Sequence, residues 1–282
     1  MQTTGIFETH RRIIDVPENE TITLIPFGDI HYGAPLHASE TFDRWIDWAQ
    51  SQKNPYYLGM GDYTDMASSS NRMVLTSRAL HESTRETLDG WYRDEAEAFA
   101  EKIKFMADDK RLIGMIEGNH YGELISGQTT TMYMCEKLRT KYLGVSCFLR
   151  IQMQADRANY PITVWAHHGQ GGARLVGGSL NRVQQMAEHA EADIYLMGHD
   201  HKRSIGTANR LYLTPKLDLR HKTIMFARTG SFLSAYVKGK ASYIADTARG
   251  PSDLGGISVE LTPRRDKSKG GRGRYVDMRG TI

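Results

Sequence analysis

The chain has 282 residues, 40% of them hydrophobic, and a formal net charge of +3. This length and composition suit an ordinary globular protein with a sizeable core, built as one large domain or two small ones. No run of about 18 apolar residues occurs, and the polar start, with Glu8, Arg11 and Arg12, lacks the apolar stretch of a secretory signal. We therefore expect no membrane partner and a cytoplasmic location.

Strand-like and helix-like segments alternate through the first two thirds of the chain. Apolar runs predict buried strands at 22–27, 56–60, 112–116, 146–154, 161–166 and 192–197. Apolar residues at helical spacing predict helices at 39–52, 91–109, 129–142 and 179–189, with Ser39 and Ser179 as N-caps. Two cysteines, Cys135 and Cys147, lie in these segments without a CxxC pair, which predicts buried free thiols.

The pattern changes after His201 to segments that favour strands, at 204–213, 222–232, 242–247 and 257–261. Such a change indicates a second sheet that packs against the first. We predict an α/β (α+β) fold, a two-sheet β-sandwich flanked by helices, as a single domain over residues 1–262.

Two segments stand apart from this regular pattern. Residues 65–90 form a Ser- and Arg-rich insertion, and a segment this long beside a strand end is typical of a lid or substrate wall. Its Arg72 and Arg78 are candidate phosphate contacts, although an exposed charged face gives the same composition. Residues 263–282 are Gly-rich and carry seven Lys or Arg against two Asp, which predicts a basic C-terminal tail. The tail could contact nucleic-acid phosphates or remain a solvated disordered terminus.

Five of the predicted strands end in clusters of carboxylate, amide and imidazole side chains. The clusters are Asp29-Ile30-His31, Gly61-Asp62, Gly118-Asn119-His120, His167-His168 and Gly198-His199-Asp200-His201. Residues that follow the carboxyl ends of strands can converge at one edge, so we expect these groups on one rim of a sheet. So many oxygen and imidazole donors exceed the needs of one tetrahedral ion and suit two divalent ions of higher coordination number.

This set, in this order, resembles the calcineurin-like metallophosphoesterase superfamily, whose pattern is DxH, GD, GNH with a following acid, a lone His, and GHxH. The resemblance covers roughly residues 22–205, points to a small stand-alone prokaryotic or phage-type member, and implies the two-sheet fold predicted above. It implies that Asp62 bridges two metal ions. It further implies two ligand groups: Asp29, His31 and His201 at one ion, and Asn119, His199 and one of His167 or His168 at the other.

Either His167 or His168 could complete the second group, because alternate side chains of a strand face opposite sides. Members of the superfamily with a His-Gly pair use the His before the Gly, which favours His168. His167 is then a substrate-contacting or supporting group.

The resemblance also implies an activity, the hydrolysis of phosphate esters by a hydroxide that bridges the two ions. His120 is expected to stabilise charge on the phosphoryl group or to protonate the leaving oxygen. One position departs from the family pattern: Tyr121 follows His120 where the family has Asp or Glu. The usual orienting partner of that histidine is therefore missing from the motif.

Three functions remain open on the sequence. A phosphodiesterase or nuclease is favoured, a phosphomonoesterase acting on nucleotides, proteins or small metabolites is the alternative, and a non-catalytic metal-binding scaffold is the third. Mn²⁺ is the favoured ion for the two sites, while Fe, Zn, Ni, Co or Mg would also suit mixed nitrogen and oxygen donors. The expected partner is a phosphate-ester substrate, nucleic acid included. Oligomeric state has no signal here, and a homodimer is only the commonest default.

Overall fold

The computed structural model describes residues 7–76, 80–240, 250–266 and 273–282, which form two β-sheets flanked by helices. The first sheet has six strands in the order β1-β5-β6-β7-β9-β8, and the second has five in the order β11-β10-β2-β3-β4. The strands are β1 (Glu8–Asp15), β2 (Ile22–Phe27), β3 (Pro55–Gly59), β4 (Leu112–Met115), β5 (Ser146–Ala155), β6 (Ala158–His167), β7 (Ile194–Met197), β8 (Arg203–Leu213), β9 (Leu219–Thr229), β10 (Ser258–Asp266) and β11 (Gly273–Thr281). The helices are α1 (Ser39–Ser51), α2 (Ser69–Leu75), α3 (Glu82–Asp108), α4 (Thr130–Lys137) and α5 (Val176–His189).

Three apolar clusters hold these layers together. The first lies between the two sheets, where side chains such as Leu24 of β2 and Val164 of β6 are fully buried. A second cluster joins α1, α3 and α4 to the outer face of the five-stranded sheet, with Phe42 and Phe99 at its centre. The third joins α5 to the outer face of the six-stranded sheet through Val183. The predicted two-sheet architecture flanked by helices is therefore confirmed.

The division of strands between the sheets differs from the predicted one. The strand segments after His201 do not form a sheet of their own, because β8 and β9 extend the sheet of β5–β7 while β10 and β11 extend the sheet of β2–β4. Pairing between strands far apart in sequence decides this arrangement, and local composition does not encode it. The predicted strand at 242–247 lies outside the described residues.

Some helix limits also differ from the prediction. Helix α3 begins at Glu82, well before the predicted start at 91, and α4 ends at Lys137 rather than at 142. Ser39 is the first residue of α1 and makes no capping hydrogen bond, and Ser179 lies inside α5, which starts at Val176. Both cysteines are free and buried, as predicted.

The two ends of the chain also form strands. β1 is rich in polar residues and pairs with β5 at the edge of its sheet, so the sequence shows none of the apolar run that marks the buried strands. Residues 258–266 and 273–281 form an antiparallel hairpin along the edge of the other sheet, and the predicted domain boundary at residue 262 falls inside β10. No helix among the described residues is long and apolar enough to span a bilayer.

Candidate metal centre

The five ligand clusters follow strand ends that come from both sheets. β2, β3 and β4 are parallel to one another in one sheet, and β6 and β7 are parallel in the other. Their carboxyl ends meet at one end of the sandwich, where the loops of both sheets converge. We expected these clusters on the rim of one sheet, but they lie at an end of the sandwich that both sheets form.

Sharp backbone turns carry the chain out of these strands and direct the side chains inward. Five residues of the clusters have a left-handed backbone: Asp29 (φ 49°), His31 (φ 49°), Asp62 (φ 52°), His199 (φ 73°) and His201 (φ 56°). This conformation is unusual for residues other than glycine and concentrates at functional sites.

One group of donors joins the loops after β2 and β7. The Nε2 atoms of His31 and His201 lie 3.3 Å apart, and His201 Nε2 lies 3.6 Å from Asp29 Oδ1. Asp29 is fully buried, and its Oδ1 has no hydrogen-bond partner within the described part of the chain. The carboxylate of Asp29 therefore points an unpaired oxygen at two imidazole nitrogens.

A second group combines His168, His199, Asn119 and Asp62. His168 Nε2 and His199 Nδ1 lie 3.3 Å apart, and Asn119 Oδ1 is 2.9 Å from the first and 2.8 Å from the second. Asp62 Oδ2 lies 3.2 Å from His168 Nε2. These four side chains come from the loops after β3, β4, β6 and β7.

Asp62 lies between the two groups. Its Oδ2 atom is 3.8 Å from His31 Nε2 as well as 3.2 Å from His168 Nε2, so one oxygen faces donors of both groups. Its Oδ1 atom accepts hydrogen bonds from the backbone N–H groups of Asn119 (2.6 Å) and His120 (2.9 Å). A side chain at Gly118 would lie 2.1 Å from Asp62 Oδ1, which explains the glycine before Asn119.

The two neighbouring histidines after β6 have different surroundings. His168 is buried, and its Nδ1 donates to the carbonyl oxygen of Met60 (2.8 Å), so in the neutral imidazole the lone pair is on Nε2, which faces the second group. His167 instead accepts the backbone N–H of Gly169 at Nδ1 (2.8 Å) and belongs to neither donor group among the described residues. His168 thus lies among the donors of the second group, and its role as a metal ligand stays a prediction.

The spacing of the donor atoms fits bound cations. Two nitrogen ligands at about 2.1 Å from one ion, with an octahedral or tetrahedral angle between them, stand about 3.0 to 3.4 Å apart. Both imidazole pairs have this separation, at 3.3 Å. The mixed oxygen and imidazole donors suit divalent transition metals.

The electrostatics of the site also favour a bound cation. Burial raises the pKa of Asp29 to about 6, although His168, His31 and the backbone N–H of His199 favour its ionised form. Burial opposes the charge of His168, but the Asp62 carboxylate outweighs it and raises the pKa of His168 to about 9. Burial and the charge of His168 lower the pKa of His199 to about 4, and burial with the neighbouring His31 holds the pKa of His201 well below its usual value. His199 and His201 are thus neutral imidazoles beside buried carboxylates, the form in which an imidazole binds a metal ion.

His120 lies at the edge of the first donor group and has an acidic partner. Asp65 Oδ1 is 2.6 Å from His120 Nδ1 and 3.4 Å from His31 Nδ1. Burial opposes ionisation of Asp65, but its hydrogen bonds with these two histidines hold the pKa of the carboxyl well below its usual range. The family pattern has an acidic residue after this histidine, where this chain has Tyr121. Asp65 takes the place of that acid as the hydrogen-bond partner that orients His120. The sequence analysis missed this role, and the available signal was the position of Asp65 three residues after Asp62.

Arg228 is a second supporting residue that the sequence analysis missed. Its guanidinium is fully buried, donates to the carbonyl oxygens of Ser179 (3.1 Å) and Gly198 (2.6 Å), and lies 3.6 Å from Asp200 Oδ2. It thus links the first turns of α5 to the loop that carries His199. A single arginine after the apolar run 224–227 was the available signal.

The arginines predicted to contact phosphate have different outcomes. Arg72 of α2 donates to the backbone carbonyls of Asn119 (3.3 Å) and Tyr121 (2.8 Å), and its guanidinium stacks 3.6 Å from the Tyr121 ring centre. These contacts therefore attach the insertion, residues 65–90, to the loop after β4 that carries Asn119. Arg78 lies outside the described residues.

Comparisons with known proteins give structural likeness only. No protein-family model matches the chain, and no curated protein matches it either. Vps29 of Chaetomium thermophilum is similar in structure with a TM-score of 0.36 and 11% identity, over 92% of this chain and 95% of that one. GAP50, the anchor in the inner membrane complex of Plasmodium, has a TM-score of 0.36 and 12% identity, over 91% of this chain and 88% of that one. At these TM-scores we base no conclusion on either likeness.

Proposed function

We propose that this protein is a metal-dependent phosphoesterase of the calcineurin-like metallophosphoesterase superfamily that holds two divalent ions. The observation that carries this proposal is the position of Asp62, whose Oδ2 faces donors of both groups, at 3.8 Å and 3.2 Å. The first ion would be held by Asp29, His31 and His201 with Asp62. The second would be held by Asn119, His168 and His199 with the same carboxylate. Mn²⁺ is the ion we favour.

Bound divalent ions would polarise the phosphoryl group and make a water-derived nucleophile available near neutral pH. The chain's own residues then have separate tasks. Asp62 fixes the loop of Asn119 and His120 through its second oxygen. Asp65 accepts the Nδ1–H of His120, and the imidazolium form of His120 would carry a second proton, on Nε2, that can pass to the leaving oxygen.

A phosphodiester is the substrate class we favour over a phosphomonoester. A monoester dianion needs more positive charge than a diester monoanion. Arg72, Lys202 and Arg228, which adjoin the loops of the donor clusters, are engaged with protein carbonyl or carboxylate oxygens, and Arg174 in the loop after β6 is exposed. The basic C-terminal segment does not support the choice of a nuclease. β10 runs antiparallel to β2, with Leu261 beside Ile22, so Arg264 and Arg265, with Arg274 opposite Arg265, lie at the end of the sheet opposite Asp29.

The test is hydrolysis of bis-p-nitrophenyl phosphate and p-nitrophenyl phosphate by metal-stripped protein, with and without added Mn²⁺. We expect Mn²⁺ to restore diesterase activity in the wild type and Asp62→Asn to abolish it. Asp156→Asn is the matched control, because Asp156 is an exposed aspartate with the same left-handed backbone (φ 52°).

The outcomes separate the three functions. Monoesterase activity in excess of diesterase activity would favour a phosphatase. Tight Mn²⁺ binding without hydrolysis of either ester, or of a short single-stranded DNA, would favour the scaffold. Failure to bind Mn²⁺, Zn²⁺ or Fe²⁺ at all would contradict the proposal.

A further inference from the structure

Glu117 is a buried acidic residue directly before the loop that carries Asn119 and His120. It follows β4 and Ile116, all of them buried, and only 2% of its own surface is exposed. A carboxylate removed from water costs free energy unless hydrogen bonds compensate for the lost hydration. An apolar side chain would fill the same space without this cost. The partners of the carboxylate therefore indicate what it does at this position.

Three hydroxyl groups donate hydrogen bonds to the Glu117 carboxylate. Thr129 Oγ1 (2.6 Å) and Tyr142 Oη (3.2 Å) bind its Oε2 atom, and Thr131 Oγ1 binds Oε1. Thr129 is the N-cap of α4, and its hydroxyl oxygen also accepts the backbone N–H of Met132 (3.1 Å). Both oxygens of the carboxylate are thus bonded, and one of them is joined to the start of a helix.

These bonds close the loop between β4 and α4. Glu117 precedes the loop and Thr129 ends it, so one carboxylate holds both ends. Inside the loop, the backbone N–H of Gly122 donates to Thr130 Oγ1 (3.1 Å), and the N–H of Thr130 donates to the carbonyl oxygen of Gly122 (2.9 Å). Gly122 also lies against Tyr92 of α3, where a side chain would approach the ring to 2.8 Å. The loop is therefore fixed to the helical layer.

The same loop is fixed to the metal centre by Asp62. Asp62 Oδ1 accepts the backbone N–H groups of Asn119 and His120, as described above. Gly118 lies so close that a side chain there would clash with this oxygen. Residues 118–120 are thus attached to Asp62 by their own backbone and, through Glu117, to α4.

We infer that Glu117 is a positioning residue that places Asn119 among the donors of the second group and holds the backbone of His120. The inference rests on the proposed function, which gives these two residues their tasks. Asn119 Oδ1 is 2.9 Å from His168 Nε2 and 2.8 Å from His199 Nδ1, so a small shift of the loop would take this oxygen away from a shared ion. Hydrogen bonds are directional and fix a position that apolar packing leaves looser.

The test compares Glu117→Gln and Tyr142→Phe with Tyr160→Phe. Tyr160 provides the matched control, because its hydroxyl also donates to a glutamate, Glu18. It lies near the start of β6, at the opposite end of that strand from the metal centre. Circular dichroism and thermal unfolding show whether each variant is folded.

Mn²⁺ binding and kinetics distinguish positioning from stability alone. We expect Glu117→Gln to raise the dissociation constant of one of two Mn²⁺ ions by about 10- to 100-fold. The electron paramagnetic resonance signal of a coupled Mn²⁺ pair should then require more Mn²⁺ to appear. At saturating Mn²⁺, kcat for bis-p-nitrophenyl phosphate should fall while KM changes little. Tyr142→Phe, which removes one bond of three, should show a smaller effect, and Tyr160→Phe should change only the melting temperature.

A further measurement uses the metal-free protein. Hydrogen exchange reports on the backbone N–H groups of the loop, among them those bonded to Asp62. Peptides that cover residues 118–129 should exchange faster in Glu117→Gln than in the wild type, and Tyr160→Phe should leave them unchanged. If Glu117→Gln does not fold, the same comparison is made with Tyr142→Phe.

The outcomes separate this inference from the proposed function. Unchanged exchange in the Glu117→Gln loop, or an equal loss of Mn²⁺ affinity in Glu117→Gln and Tyr160→Phe, would overturn the positioning role. A wild type that binds no metal ion would overturn the proposed function instead, and hydrogen exchange would still decide whether Glu117 holds the loop.

Discussion

Asp65 shows how one side chain can replace an absent motif residue from another part of the chain. The position after His120 holds Tyr121, yet Asp65 reaches His120 Nδ1 at 2.6 Å from the loop after β3. Second partners of this kind set the tautomer and orientation of an imidazole. The sequence pointed to His120 as a catalytic candidate, which stays a prediction, and its partner depends on how two loops meet.

We expect His120→Ala to lower turnover of a phosphodiester about 10²- to 10⁴-fold while the bound Mn²⁺ content stays the same, because the residue acts on the proton and not on the metal.

Asp65→Asn should lower turnover by about 10- to 100-fold. If Asp65 acts through His120, it should have little further effect in the His120→Ala background. Equal losses from Asp65→Asn in both backgrounds would contradict this coupling.

Arg72 gives a second prediction at the scale of the residue. Its guanidinium binds the carbonyls of Asn119 and Tyr121, so Arg72→Lys should lower the melting temperature and kcat while KM changes little. The loss of such charge-assisted bonds costs about 1.5–3 kcal/mol. Kinetics over a range of substrate concentrations would decide: a rise in KM without loss of stability would support the substrate-contacting role predicted from the sequence.

At the scale of the element, the apolar strands were predictable and the polar edge strands were not. The buried strands β2, β3, β4 and β7 form continuous apolar runs, so their ends and the residues that follow them could be placed. β1 and β11 lie at sheet edges, and their exposed polar residues gave no such signal. A Gly-rich basic composition in residues 263–282 suggested a tail, although pairing with β10 makes most of it a strand.

The C-terminal hairpin should therefore stabilise the fold and not bind substrate. Ending the chain after Asp266 removes β11, whose Val276 and Met278 pack against the cluster between the sheets. We expect a lower melting temperature and aggregation through the uncovered edge of β10. The matched control is Arg264→Gln/Arg274→Gln, which removes charge and keeps the strand.

This control should leave the melting temperature and the salt dependence of DNA hydrolysis unchanged, because both arginines lie at the end of the sheet opposite the ligand clusters. Loss of DNA hydrolysis in the charge variant alone would show instead that the segment binds nucleic acid.

At the scale of the whole molecule, the candidate centre joins the two sheets. Asp29 and Asp62 follow strands of the five-stranded sheet, while His168 and His199 follow strands of the six-stranded one. The sequence predicted which residues would meet but placed them on one rim, because the assignment of strands to sheets depends on distant pairings. The motif order sufficed to select the candidate donor residues and did not fix the topology around them.

Metal binding should for this reason stabilise the whole fold. Ligands that bind only the native state add about 2.7 kcal/mol when their free concentration is 100 times the dissociation constant. We expect chelation to lower the melting temperature and Mn²⁺ to restore it in the wild type and in Asp156→Asn. In Asp62→Asn the increase with Mn²⁺ should be much smaller, and an equal increase in all three proteins would mean that the ion binds elsewhere.

The left-handed backbone at Asp29, His31, Asp62, His199 and His201 has a consequence for how this protein can change. Each such residue, other than glycine, is held at a cost of about 1–2 kcal/mol. Replacement by glycine would relieve that cost, so a laboratory selection for heat resistance alone, in the absence of metal, should enrich substitutions at the three histidines before Asp29 and Asp62, whose carboxylates accept backbone N–H groups. Only selection that also requires the metal would keep the five side chains in place.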